Sequence, residues 1–202
     1  MTTAAYKRLS HPSGTTLLLI EGVSVELFSA VDSLELLAKE WASDSLNPTI
    51  IQALATAAIV SYARVFKSGV RLSMRIGQDF SVSAEQLAVH ERIIGIRDKH
   101  VSHPVNSFET HSLFISYHVE AQEPVATSVS AGSMILSSLA PDEIGPFIAL
   151  CHSLLDQLHH KRAAETEKLL EFAKQLTPSE IRALPEGPIQ PSDNPWQIRS
   201  GA

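Results

Sequence analysis

Apolar residues recur at steps of three and four along most of this chain, and this period constrains the fold more than any other feature. From Val23 to Trp41 the steps predict an amphipathic helix. A second helix is predicted to begin at Pro48, because proline suits the first turn, and an alanine-rich apolar stripe follows it to Val65. These stretches indicate helices that pack on one another through small side chains.

Two further helices are predicted from their start and stop signals. Ser83, followed three residues later by Gln86, has the pattern of a capping box. That helix is expected to end before Pro104, because the residue before a proline disfavours the α conformation. A long final helix is expected to begin between Pro141 and Gly145 and to continue to about Leu176.

The period changes to two between the third and the last helix. Alternating apolar residues from Leu113 to Val119 predict a strand, residues 122–124 a turn, and a second alternation from Val125 to Val129 a second strand. The hairpin should therefore cover about residues 112–131, and whether Met134–Leu136 adds a third strand is left open. The predicted fold is mainly α, an antiparallel four-helix bundle with a β-hairpin inserted before the last long helix.

Three segments are expected along the 202 residues. They are an N-terminal polar segment over residues 1–20, a helical domain over residues 21–176, and a Pro-rich C-terminal tail over residues 177–202 that should be extended or disordered. The longest uninterrupted aliphatic run is Leu17 to Ile20, far from the roughly 20 apolar residues that a membrane span needs. Cys151 is the only cysteine, so we expect an inert core thiol and a cytoplasmic protein.

The net charge of −6 argues against a broad nucleic-acid-binding surface, yet the charge is unevenly distributed. Residues 61–110 carry 7 Lys or Arg against 5 Asp or Glu, which gives +2. Within them, residues 61–75 contain four basic residues and no acid: Arg64, Lys67, Arg71 and Arg75. This basic strip predicts either a local phosphate-binding site or a solvated helix face. A short connection between the second and third helices would leave the strip about 20 Å from the end of the third helix.

That helix end carries the densest set of chemically active residues, from Arg97 to His103. Arg97 is expected on the same side as Ile93, where a bundle helix is normally apolar, so it should need an anionic partner. The run Arg97-Asp98-Lys99-His100-Val101-Ser102-His103 resembles the Arg-x(4–6)-His signature of the HEPN superfamily, with Asp98 and Ser102 at positions where that family often has a polar and a small residue.

The resemblance implies a short four-helix bundle that dimerises, so that the motifs of two subunits form one composite cleft. Active members of that family are metal-independent ribonucleases, some of them controlled by an antitoxin or a nucleotidyltransferase-like partner, whereas others only bind nucleotides, RNA or proteins. We therefore expect a homodimer that binds RNA or a nucleotide. The final helix supports this, because its apolar stripe resumes beyond residue 168.

The side chains suit RNA cleavage. His103 could accept or donate a proton near neutral pH, and Arg97 could stabilise the charge on the phosphorane. Asp98 could orient a histidine or the arginine, and Ser102 could bind phosphate. The candidates for binding RNA or phosphate are Arg64, Lys67, Arg71, Lys99 and His100.

Other interpretations stay open. Arg97 could pair structurally with an acidic residue of another helix, with His103 at the surface. The histidines at positions 90, 100, 103 and 111 lack the spacing of a metal-binding frame, so neither a metal nor a cofactor is expected. The run from His159 to Arg162 is typical of a solvated helix face.

Overall fold

The chain is mainly helical, with one small antiparallel sheet, in a computed structural model that describes residues 7–9, 14–67, 73–98, 109–120, 123–135 and 139–186. The elements are α1 (Gly14–Trp41), α2 (Pro48–Phe66), α3 (Ala84–Ile96), β1 (Glu109–Glu120), β2 (Glu123–Ile135), α4 (Pro141–Lys174) and α5 (Pro178–Ala183). This order confirms the mainly α class and the hairpin inserted before the long helix.

Local sequence signals explain where two of these helices begin. The Asn47 side chain accepts hydrogen bonds from the backbone N–H groups of Thr49 and Ile50, at 3.1 and 3.3 Å. At α3 the predicted capping box is confirmed, because Ser83 Oγ accepts from the Gln86 N–H at 3.2 Å and Gln86 Oε1 accepts from the Ser83 N–H at 3.0 Å.

The core lies where α1 contacts both α2 and α4. Ala55 and Ala58 of α2 are fully buried, so small side chains do allow a close approach to α1. The two helices run antiparallel, since Ser61 lies near Ser29 and Arg64 near Glu26. The α1 helix also begins earlier than expected, at Gly14, and carries Ile20 into the core, so residues 14–20 belong to the helical unit rather than to a polar segment.

The connection between α2 and α3 folds back on the core. The Met74 N–H donates to the Val65 carbonyl at 2.9 Å, and Gly77 takes a φ of 84° that permits the tight turn there. Phe80 is then buried with its ring centroid 6.1 Å from that of Phe66. The connection thus returns beside Phe66 just before α3 begins, as expected from the sequence.

The α4 helix is 34 residues long, and its fully buried residues end at Leu158. Its second half therefore extends past the core, as expected from the sequence. Beyond it, Thr177 caps the short α5 helix, and the Arg8 N–H donates to the Pro185 carbonyl at 2.8 Å. The Pro-rich segment from residue 177 thus begins with a helix and then pairs with residues near the N-terminus at Pro185, whereas residues 187–202 lie outside the described chain.

The hairpin is longer than expected, since β1 and β2 cover residues 109–135 around the undescribed pair 121–122. Met134 pairs with Thr110, so it extends β2 instead of forming a third strand. A β-bulge shifts the register between Ser116 and Tyr117.

One helix in the described part of the chain, α2, is long and apolar enough to cross a membrane by length and composition alone. It contains no long uninterrupted aliphatic run, because its alanine-rich stripe includes polar residues. Its buried residues, among them Ile51 and Ile59, pack in the core against α1, so its apolar character is explained by burial inside the protein.

Candidate functional site

A cluster of three charged side chains forms where α2 and α3 end. Asp98 uses both carboxylate oxygens: Oδ2 accepts from Lys67 Nζ at 2.7 Å, and Oδ1 accepts from Arg97 Nη1 at 3.0 Å. Two cations and one anion leave the cluster with a formal charge of +1. We call Lys67, Arg97 and Asp98 the cation cluster.

The ends of the two helices fix these positions. The Lys67 N–H donates to the Ala63 carbonyl at 3.0 Å, which caps α2. Ile93 and Ile96 of α3 are buried, and the chain then widens into a π-type turn at residues 97–98. Such turns are frequent at functional sites. Arg97 thereby reaches the surface with its side chain 36% exposed.

The carboxylate of Asp98 holds the two cations in place. The hydrogen bond from Lys67, followed by that from Arg97, lowers the pKa of Asp98 below its ordinary value. The group is therefore ionised at neutral pH. Because all three side chains are partly exposed, these ion pairs contribute little to stability, about 0–1 kcal/mol each, and their main effect is to position the cations.

An aromatic joint connects the two helices just below this cluster. Tyr62 is fully buried and its hydroxyl lies 2.8 Å from Nδ1 of the half-buried His90. The His90 ring lies edge-on to Phe66 at a centroid distance of 4.6 Å, and Phe147 of α4 meets Tyr62 edge-on at 5.0 Å. We call Tyr62, Phe66, His90 and Phe147 the aromatic joint.

Burial sets the protonation of this joint. Desolvation raises the pKa of Tyr62 far above its ordinary value, so its hydroxyl keeps its proton and donates to His90. Desolvation also lowers the pKa of His90; Lys67 adds to this effect and Glu91 opposes it. His90 is therefore neutral at pH 7, with Nδ1 as the acceptor and the proton assigned to Nε2.

The structure brings together part of the predicted site. Arg97, Asp98 and Lys67 meet, although the sequence placed the basic strip about 20 Å from the motif. That distance was wrong because α3 crosses α2 instead of running antiparallel to it: His90 contacts Phe66, and Asp98 reaches Lys67. Arg64 instead faces Glu26 of α1 at 3.6 Å and does not join the cluster. The candidates Arg71, Lys99, His100, Ser102 and His103 lie outside the described residues.

Sequence reasoning missed the pairing of Tyr62 with His90. From the sequence, His90 is only one of four histidines considered as metal ligands. The signals were present, since Tyr62 interrupts an alanine-rich apolar stripe and His90 lies two turns before Arg97. The sequence does not show that α2 and α3 cross, and it is this crossing that brings the two residues into contact.

Two other sequence candidates have structural roles. Cys151 is fully buried, and desolvation raises the pKa of its thiol to about 12, which confirms an inert core residue. On the exposed face from His159 to Arg162, Lys161 donates to the Asp79 carbonyl and Arg162 lies 2.8 Å from Glu21. This face therefore ties α4 to its neighbours as well as facing solvent.

Among the described residues, no group of three or more His, Cys, Asp or Glu side chains is arranged to hold a metal ion. His90 in particular uses Nδ1 in its hydrogen bond with Tyr62. The chemistry that the described cluster offers is electrostatic: two fixed cations at the surface, above a neutral imidazole.

Comparison of the chain with protein-family models, with curated protein sequences and with solved structures gave no match.

Proposed function

We propose that this protein is a HEPN-like, metal-independent endoribonuclease that acts as a dimer. Arg97 would stabilise the charge on the scissile phosphate, and His103 would transfer protons. The observation that carries the proposal is that Arg97 is held at the surface by Asp98, which is itself held by Lys67. An anion such as a phosphate can reach cations placed in this way.

The geometry of Arg97 favours this proposal over a purely structural role. A structural arginine on an apolar helix face would be expected to pair, inside the core, with an acid from another helix. Here the acid that holds Arg97 is its neighbour in sequence, and the contribution from α2 is a second cation, Lys67. An arrangement that gathers positive charge is suited to binding an anion.

The proposed reaction needs a base, an acid and a cation. A base takes the proton from the 2′-hydroxyl, the 2′-oxygen attacks phosphorus, and an acid protonates the departing 5′-oxygen. Two subunits would supply two copies of His103 for the proton transfers and two of Arg97 for the phosphorane charge. Asp98 keeps the guanidinium oriented throughout, and Lys67 adds a further phosphate contact.

The proposed architecture is a four-helix bundle. In its support, the helix contacts close a ring, in which α1 meets α2, α2 meets α3, α3 meets α4, and α4 meets α1. The pair α1 and α2 is antiparallel, but the C-terminal ends of α2 and α3 meet at Lys67 and Asp98, so the expected antiparallel course of α2 and α3 is wrong. The buried thiol of Cys151 is compatible with a cytoplasmic location. Control by an antitoxin or a nucleotidyltransferase-like protein remains a prediction from the resemblance.

The test is cleavage of a mixed RNA pool in the presence of a chelator. We expect wild type to cleave, His103→Ala to lose about 10²–10⁴-fold in rate, and Arg97→Ala to lose a similar or larger factor. His100→Ala should cost less. Arg92→Ala is the matched control, since Arg92 lies on the same helix but contacts Glu143 of α4. Mixed dimers of wild-type and mutant subunits should not have half the activity if the cleft is shared.

The second candidate is a non-catalytic module that binds RNA or nucleotides. The modest formal charge of the cation cluster favours it, because one uncompensated positive charge suits a single phosphate better than a long RNA. If wild type binds RNA without cleaving it, and folded Arg97→Ala loses that binding, this candidate replaces the ribonuclease. If Arg97→Ala unfolds the protein and wild type binds no RNA, both are wrong.

A further inference from the structure

The hairpin carries an apolar face that nothing in the described chain covers. We call it the apolar ribbon face. It consists of alternate residues of β1 and their partners on β2, namely Leu113, Ile115, Tyr117, Val119, Pro124, Ala126, Val129 and Ala131. All of these side chains are exposed, and the larger ones on β1 are 63–77% exposed.

The opposite face of the ribbon is different. It carries the serines at positions 112, 116, 128 and 130 and the pair His118 and Val125, and the Phe114 ring lies over Gly132. A Cβ at position 132 would be 2.8 Å from that ring, so glycine allows the ring to lie in this place. Polar residues and a glycine platform allow this second face to remain in water.

An uncovered apolar ribbon face is unfavourable for two reasons. A two-stranded hairpin is at best marginally stable in water unless an apolar face is packed against something. Soluble monomers also seldom expose a contiguous apolar patch larger than a few hundred Å² without a binding role. The face should therefore be covered in the working protein.

We propose that the apolar ribbon face packs against the same face of a second copy of this chain. Residues 112–119 and 124–132 contain no Asp, Glu, Lys or Arg, so the face offers nothing to a charged partner. An identical face matches it in chemistry and, about a two-fold axis, in shape. Two sheets that meet in this way interdigitate their side chains at a spacing of about 10 Å.

The area is sufficient for a specific contact. Each of the five larger side chains, Leu113, Ile115, Tyr117, Val119 and Val129, can remove about 100 Å² of apolar surface from water. Two ribbons then bury about 1,000 Å², near the lower limit for a specific protein–protein interface. Contacts of the backbone and of the smaller residues add to this.

A second exposed apolar surface, on α1, is a poorer candidate for pairing with itself. It comprises Leu18, Val25, Phe28 and Leu36, all more than half exposed. By helical spacing, Asp32 lies within this stripe and Glu35 at its border. Lys39 also lies on this stripe, seven residues after Asp32, so pairing two copies would take charged side chains out of water, a cost that the uncharged ribbon face does not have.

This inference stands on the hairpin and does not require RNA cleavage.

The first test is the mass of the full-length protein, measured without RNA by light scattering and sedimentation over about 0.1–100 μM. We expect a dimer whose dissociation constant rises by at least about 100-fold in the double variant Ile115→Ser, Val129→Ser, because four apolar contacts are lost per dimer. Leu18→Ser is the matched control and should leave the dimer intact. A wild-type monomer at every concentration, or dissociation by Leu18→Ser alone, would overturn the proposal.

The second test does not depend on a disruptive variant. Under mild oxidation, Ile115→Cys should form a disulfide between two copies, whereas Ser116→Cys on the opposite face should not. Cys151 is buried and serves as an unreactive internal control. Equal cross-linking of both variants would contradict the face assignment, as would a monomer that binds neutral lipid vesicles through the ribbon. Cleavage of RNA by a protein that fails these tests would leave the ribonuclease proposal intact.

Discussion

The aromatic joint and the hairpin use similar side chains with opposite results. In the joint, Tyr62 and Phe147 are fully buried and contact each other. In the hairpin, Phe114 and Tyr117 are 56% and 63% exposed. The difference shows that composition and periodicity do not decide burial by themselves. The joint finds its partners on three helices of the same chain, whereas the described chain supplies none for the apolar ribbon face.

The same comparison bears on the candidate site. Lys67 and Arg97 lie at the ends of two helices that cross at the aromatic joint. The placement of these cations therefore depends on the joint, whose buried side chains contact one another within the same chain. A dimer through the hairpin would be added to this unit without rearranging it. Changes in the joint should therefore affect folding, and changes in the ribbon should affect assembly.

The largest expected effect is the loss of a ring from the joint. Phe147→Ala should lower the free energy of unfolding by about 3–5 kcal/mol, because it removes a fully buried ring and leaves a cavity. Phe114→Ala is the matched change in the hairpin and should cost less than about 1 kcal/mol. Urea unfolding at low protein concentration measures both. Equal losses would mean that the hairpin is part of the same cooperative core.

A smaller effect is expected when the joint loses one hydrogen bond. Tyr62→Phe leaves Nδ1 of His90 without its donor and should cost about 1–3 kcal/mol. Tyr117→Phe, which removes the hydroxyl of an exposed tyrosine, should be nearly neutral. The same urea titrations test this pair, and a neutral Tyr62→Phe would show that water replaces the hydroxyl.

The joint should also make stability depend on pH. The pKa of His90 is lowered in the folded chain, so below about pH 6.5 the unfolded chain binds the proton first. Stability should therefore be complete above that pH and decline as the pH falls toward the folded-state pKa. His90→Gln should weaken this dependence, and His160→Gln, at an exposed position of α4, should leave it unchanged. Thermal unfolding between about pH 5 and pH 8 provides the measurement.

The smallest effect on stability is expected in the cation cluster. Asp98→Asn should change the free energy of unfolding by less than about 1 kcal/mol, because its ion pairs are partly exposed. Glu143→Gln, at the pair with Arg92, is the control and should behave alike. A loss of several kcal/mol for Asp98→Asn alone would mean that the cluster fastens α2 to α3 and is not an open anion site.

Local patterns predicted most of the fold. The change of period at Leu113 located the hairpin, and Ser83 with Gln86 located the start of α3, because both signals depend on neighbours in sequence. The early start of α1 and the helix at Pro178 were missed, since polar and proline-rich stretches give weak signals. At the site, the sequence selected Arg97 and Asp98 but placed Lys67 far away. That contact depends on the path of residues 73–83, which is determined by the packing of Phe80 and by a hydrogen bond from Gln157 to Ser81.

Amide hydrogen exchange, followed at several protein concentrations, compares the two regions most directly. The amides of α2 around Tyr62 should be protected to the same degree at about 0.1 μM and at about 50 μM, because the joint needs only its own chain. The amides of β1 and β2 should be weakly protected at the low concentration and strongly protected at the high one. Protection of the hairpin that does not change with concentration, whether strong or absent, would contradict the account.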